Sequence, residues 1–214
     1  MLHNSITFDQ VVAKLPILLS QQLPGEQAHA ELAPLKRKGT SAYEPLIADA
    51  RKAAVLVIIE NGKNCPKVLF TLRKSYPGVH SSQISFPGGK LEAIDGSFLD
   101  AAWRETQEEI GVTRDHLELA GALSPIYIPP SNFYVKPFVA LAHQPLQLKA
   151  QASEVEVIYR LPLRELMHPN TLQQTKVSVN RGALLQVPAF VWQELTIWGA
   201  TAMMLNELLV VLRD

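Results

Sequence analysis

Apolar residues recur at helical spacing near both ends of the chain and once in its middle. Between those stretches they crowd into short β-branched runs. Thr7 to Gln21 reads as a short amphipathic helix, Pro16 notwithstanding. Leu23 to Ala48 is polar and reads as a segment wrapping the surface, with the basic run at 36–38 on a solvated face. Ala53 to Glu60 is a strand followed by the hairpin signal Asn61-Gly62, and Lys67 to Arg73 is its partner. Gln83 to Phe86 continues as a short strand into a tight turn at Pro87-Gly88-Gly89. A helix follows from about Ser97 to Ile110, with Leu99, Trp103, Thr106 and Ile110 as its buried stripe, and Gly111 stops it. Leu117 to Ile128, Phe133 to Leu141 and Val155 to Arg160 read as further strands, with the double proline at 129 and 130 in a loop. Weaker strands are expected at 175–179 and 184–190. Thr201 to Leu212 is a final helix with Leu205, Leu208, Leu209 and Leu212 on one face. Strands mixed with three helices, without regular alternation, predict an α/β sandwich with a mixed sheet. The expected division is an N-terminal extension over 1–48 and a domain over 49–214.

The middle helix carries the chemistry. Glu105, Glu108 and Glu109 stand at i, i+3 and i+4, on a shared arc beside the apolar stripe. Like charges at that spacing repel by about 0.2–0.5 kcal/mol per pair even in solvent, and by more in a cleft. A hard divalent cation relieves the conflict, since Mg²⁺ is typically held by carboxylates together with substrate phosphates. Arg104, adjacent to the cluster, is placed to orient a glutamate through a charge-assisted fork. Glu92 and Asp95 read as acids that favour the loop and the helix start.

Composition narrows the partner. The chain has 214 residues with 20 basic and 20 acidic side chains. That balance gives no electrostatic argument for a nucleic-acid or membrane-surface partner. Cys65, the single cysteine, reads as inert. No apolar run reaches the roughly 18 residues of a membrane span, and cytoplasm is the expected location.

Gly88-Gly89-Lys90-Leu91-Glu92 through Arg104-Glu105-Thr106-Gln107-Glu108-Glu109-Ile110-Gly111-Val112 resembles the Nudix box, G-x(5)-E-x(7)-R-E-U-x-E-E-x-G-U, where U is aliphatic. Asp95 stands at the first Glu of that consensus, one extra residue separates it from Arg104, and Thr106 replaces an aliphatic residue. The Asp and the extra residue are shared by the coenzyme A pyrophosphatase branch of the family. Leu69-Phe70-Thr71-Leu72-Arg73 and Phe86-Pro87-Gly88-Gly89 are similar to that branch's signature, L-L-T-x-R-[S/A]-x(3)-R-x(3)-G-x(3)-F-P-G-G. Lys74, Gly78 and Ser82 depart from it.

The resemblance implies a Nudix-type α/β/α sandwich and a metal-dependent pyrophosphohydrolase using Mg²⁺ or Mn²⁺. Glu105, Glu108, Glu109 and the carbonyl of Gly89 would be the metal ligands, with Arg104 orienting a glutamate. The general base would be Glu105, or Glu154 from a later loop. Arg73, Lys74 and Lys90 are candidates for phosphate contacts. Tyr127, Phe133 and Tyr134 are either core aromatics or a platform for adenine, and His80 reads as structural. The implied substrate is coenzyme A or acyl-CoA, a small molecule. The alternatives are another nucleoside diphosphate derivative such as ADP-ribose or a dinucleotide, or a non-catalytic nucleotide-binding regulator. A homodimer is compatible with all of these.

Overall fold

The computed structural model describes residues 6–34, 37–74, 83–179 and 183–213. Gly78, His80 and Ser82 lie outside the described residues. The central strand β1 (Arg51–Glu60) is buried on both faces. Ala53, Val57 and Ile59 enter one core, and Ala54, Leu56 and Ile58 enter the other. This is the period-two pleat of a strand covered on both sides, and it accounts for the nearly continuous apolar run.

Antiparallel β2 (Lys67–Arg73) pairs with β1 on one side, closing the hairpin through a longer connection than the two-residue turn that Asn61-Gly62 suggested. On the other side β7 (Phe133–Ala142) runs parallel to β1, in register from Arg51↔Phe133 to Glu60↔Ala142. The sheet is completed by β3 (Ile84–Ser85), β4 (Gly88–Lys90), β5 (Glu118–Ala122), β6 (Ile126–Ile128) and β8 (Val155–Pro162). Its main path is β3-β2-β1-β7-β5, with β4 on β1, β6 on β7 and β8 on β2. A second, antiparallel sheet joins β9 (Leu172–Val179), β10 (Ala183–Trp192) and β11 (Leu195–Trp198). α4 (Phe98–Ile110) covers one face of the main sheet, and α1 (Phe8–Leu19), α2 (Glu26–Leu32) and α6 (Gly199–Arg213) gather on the other. The expected mixed sheet is therefore present. Single turns α3 (Glu44–Ile47) and α5 (Leu163–Leu166) complete the helices.

Four local expectations are corrected. Gly88 and Gly89 form strand β4 on β1 rather than a tight turn, because β1 is long enough to pair with them beyond its hairpin. The run Leu117 to Ile128 is two strands, divided where Leu123 N–H turns to Pro137 O. β11 was not foreseen, since Gln193-Glu194 masks its turn. Finally, 23–48 is not only a surface wrap: it holds α2, whose Ala28, His29 and Leu32 are buried.

The buried face of α2 has a polar cause. Glu207 of α6 is fully buried and accepts from His29 Nε2 at 3.0 Å, Gly25 N–H at 3.1 Å and Ser124 N–H at 3.1 Å. Burial pushes its carboxyl up, but the bonds from His29 and Ser124 outweigh that and hold it below the ordinary 4.5. The folded value is thus the lower one. Its stabilisation is complete above pH 4.5 and fades as the pH falls through the folded value. Glu207→Gln is expected to cost about 2 kcal/mol at neutral pH, roughly 5 °C in a melting curve. The gap from wild type should narrow in acid, and a gap constant from pH 7 to pH 3 would refute the assignment. Among the described residues, no helix is long and apolar enough to cross a membrane.

Candidate active site

Ser97 caps α4, its hydroxyl accepting from Asp100 N–H at 3.2 Å, and Gly111 ends the helix at φ 73°. The face laid on the sheet comprises Ala101, Ala102, Trp103, Thr106, Glu109 and Ile110. Leu99, expected in that stripe, is only partly buried. Glu109, expected beside it, lies within it at 2% exposure. A small rotation of the helix is the reason, and it presses one carboxylate against β4.

The two glycines permit that approach. A Cβ on Gly89 would stand 2.3 Å from Cδ of Glu105, and one on Gly88 would stand 2.3 Å from the carbonyl oxygen of Ala54. Any larger residue is excluded at either position unless its surroundings move. With the strand so close, Gly88 N–H donates to Glu109 Oε2 at 3.1 Å. Arg73 Nη2 faces Oε1 of the same carboxylate at 3.7 Å. Arg73 sits at a register shift between β2 and β8, where a bulge re-aims the side chain. Burial pushes the Glu109 carboxyl up to about 7, against the pull of Arg73 and the Gly88 bond, and the charges of Glu105 and Glu154 add to the rise. Glu105, half-buried, is also raised by burial, against its bond from Arg104.

Arg104 organises the remainder. Its Nε and Nη2 close a fork on Asp95, each bond 3.0 Å, and Nη2 also donates to Lys90 O at 3.0 Å. Nη1 donates to Glu105 Oε1 at 3.0 Å and Glu108 Oε2 at 3.1 Å. Every N–H of the guanidinium is engaged, and its ion pairs raise its pKa further. The fork expected on a glutamate therefore closes on Asp95, whose carboxyl is held down chiefly by the Arg104 bond. The glutamates receive single bonds instead. Asp95 thus does more than start the helix: it anchors the arginine that steers two glutamates. The signal for this role was its place at the acidic position of the box.

Glu154 comes from the segment before β8 (Val155–Pro162). Its carbonyl accepts from Lys74 N–H at 2.9 Å, and Gln151 N–H nearby donates to Glu109 O at 2.8 Å. Those two bonds tie the loop to β2 and to the end of α4, close enough for the charge of Glu154 to act on Glu105 and Glu109. The fold thus brings together Gly89, Arg104, Glu105, Glu108, Glu109, Glu154 and Arg73. The side chain of Lys90 is exposed, and only its carbonyl joins the network. Tyr127 is buried against Tyr43, Phe133 lies under Arg51, and Tyr134 meets Phe98 edge-on. Among the described residues, no three His, Cys, Asp or Glu side chains already converge as an ion cage. Glu108 is turned to Arg104, and Glu109 to Gly88.

The NUDIX domain family model matches residues 50–181. The uncharacterized Nudix hydrolase NudL of Enterobacter sp. (strain 638) is 31% identical over 167 residues, covering 76% of this chain and 83% of that protein. The human mitochondrial coenzyme A diphosphatase NUDT8 is 31% identical over 169 residues, 78% of this chain and 72% of that one. A crystal structure of a NUDIX hydrolase from Alicyclobacillus acidocaldarius aligns over 56% of this chain and 82% of its own, at 19% identity and a TM-score of 0.47. The matched span, well over half of the chain, contains β4, α4 and all three helix glutamates, and the protein belongs to the Nudix family as a pyrophosphohydrolase of nucleoside diphosphate derivatives.

Proposed function

We propose that the substrate is coenzyme A or acyl-CoA, split at its diphosphate into adenosine 3′,5′-bisphosphate and (acyl-)4′-phosphopantetheine. One observation carries the reading. The two ends of the upstream signature, Arg73 and Phe86-Pro87-Gly88-Gly89, meet on a single carboxylate, Glu109. A relative named as a coenzyme A diphosphatase adds support.

Hydrolases of this family generally need divalent cations, and here we infer Mg²⁺ or Mn²⁺. The donor set fits. Like charge from Glu108 and Glu154 adds to the rise of the Glu105 carboxyl, and that from Glu105 and Glu154 to the rise of Glu109, and the missing Cβ of Gly89 leaves room beside Glu105. Glu105, Glu108, Glu109 and the Gly89 carbonyl would hold the ion. When bound, it supplies acidification of a water and neutralisation of diphosphate charge. Arg104 holds Glu105 and Glu108 toward the strand, and Arg73 sets a positive charge at the same edge. Glu154 is exposed and its side chain makes no hydrogen bond or ion pair among the described residues. It is therefore free to take the proton of the attacking water, a role typically contributing 10²- to 10⁴-fold. Glu105, tied to Arg104, is the alternative base.

Incubation with coenzyme A and Mn²⁺, followed by chromatography, tests the substrate: adenosine 3′,5′-bisphosphate is the expected product, and its absence rejects the reading. Gly78, at the place of the signature's second arginine, favours the second reading, a nucleoside diphosphate derivative such as ADP-ribose. Faster cleavage of ADP-ribose than of coenzyme A would establish it.

A further inference from the structure

The basic run at 36–38 is not a wholly solvated face. Arg37 is partly buried over the sheet face that carries α6, with Nη1 on Met203 Sδ at 3.3 Å and Nη2 on the carbonyl of Tyr127. Arg51 opens β1. By the pleat it shares the face of Ala53, and its guanidinium lies 4.1 Å above the Phe133 ring and donates to the carbonyl of Ser131. Arg73, Arg104, Arg160 and Arg164 each face a carboxylate. Among the described residues, Arg37 and Arg51 face none, as is also true of Arg114 and Arg213. Burial lowers the pKa of Arg37, against a weaker opposing pull from Tyr43. Ser131 is 5% exposed, and among the described residues its hydroxyl has no hydrogen-bond partner. Two guanidinia and an unused hydroxyl thus sit along one segment, Tyr127 to Ser131.

That segment has a definite relation to the active site. Lys90 pairs with Ala53 and Gly89 with Ala54, so Arg51 lies three positions along β1 from the Gly89 pair, about 10 Å away. Lys90 is its diagonal neighbour on the same face. Arg51 lies on the face opposite α4, so a nucleotide whose diphosphate lies at Gly89 would reach it by passing over the end of β1 beside Lys90.

Resting on the coenzyme A reading above, we propose that Arg51, with Arg37 and the Ser131 hydroxyl, forms a second anion subsite that takes the 3′-phosphate monoester of the substrate's adenosine. Arg51 uses one N–H on a protein carbonyl, leaving donors for a two-pronged bond to phosphate. The subsite supplies from β1 and the N-terminal segment a positive charge that Gly78 does not.

Titration calorimetry of the full chain in Mg²⁺ buffer decides it, with adenosine 3′,5′-bisphosphate and AMP as ligands that differ by the phosphate in question. Wild type is expected to bind the bisphosphate on the order of tenfold tighter or more. In Arg51→Gln the ratio should collapse toward one, and Arg51→Lys should fall between. An unchanged ratio in Arg51→Gln overturns the subsite, as does a wild type without preference. If circular dichroism shows Arg51→Gln unfolded, an unchanged ratio in Arg51→Lys overturns it equally. The product assay with coenzyme A separates the two claims. Hydrolysis with an unaltered ratio sinks only the subsite, and a collapsing ratio without coenzyme A hydrolysis sinks only the substrate.

Discussion

Glu108→Gln is expected to lower kcat on the order of a thousandfold while leaving the fold intact. Glu108 is 57% exposed, and its protein partner is Arg104 at i−4, 3.1 Å away. An exposed pair of that kind contributes about 0.3–0.5 kcal/mol, so the melting temperature should move by no more than about 2 °C. With Glu108 in the metal-holding role proposed above, the catalytic loss is larger, because a ligand carboxylate supports several kcal/mol of charge neutralisation in the transition state, and every 1.4 kcal/mol is tenfold in rate. Glutamine keeps the shape and one oxygen and removes only the charge. Steady-state kinetics across an Mg²⁺ titration, beside a melting curve, provides the check. Activity within tenfold of wild type at saturating Mg²⁺ would remove Glu108 from the metal shell.

Alanine at the two glycines should produce opposite failures. In Gly88→Ala the new methyl meets backbone, 2.3 Å from Ala54 O and 2.6 Å from Val55 Cα, at φ 148°. Neither atom is free to yield, since Ala54 and Val55 belong to the central strand. A loss of at least about 3 kcal/mol of stability is expected, a melting shift near 10 °C. In Gly89→Ala the methyl meets the carboxylate of Glu105 at 2.3–2.5 Å, a side-chain end that can swing away. The fold should survive, and kcat/KM should fall by roughly 10²-fold, the expected consequence of moving Glu105, in the role proposed for it, by about 1 Å. Differential scanning fluorimetry and kinetics on both variants decide the matter. If Gly89→Ala proved the less stable of the two while keeping its activity, the close packing of Glu105 on β4 would be refuted.

The elements that depend on local periodicity could be read directly from the chain. β2 appears with the boundaries expected of the hairpin partner of the Ala53–Glu60 run, and α4 begins at the capping Ser97 and ends at Gly111. The three glutamates and Arg104 were legible for the same reason, because helix spacing puts them on one arc whatever surrounds the helix. Features set by long-range packing were not. α2 looks polar in sequence, and its buried side depends on Glu207, 178 residues away from His29. Arg37 was expected in solvent, yet it lies between α6 and β6.

What the sequence by itself determined is therefore the kind of chemistry, since the residue types and their spacing along a helix and a glycine strand are local quantities. The tertiary structure alone decided which carboxylate is desolvated, which acid receives the fork of Arg104, and that Glu154 reaches the cluster. The first two outcomes depend on the rotation of α4 against the sheet and on the pairing of β4 with β1, and the third on the backbone bonds that tie the loop before β8 to β2 and α4; burial and charge proximity follow from such through-space geometry rather than from order along the chain.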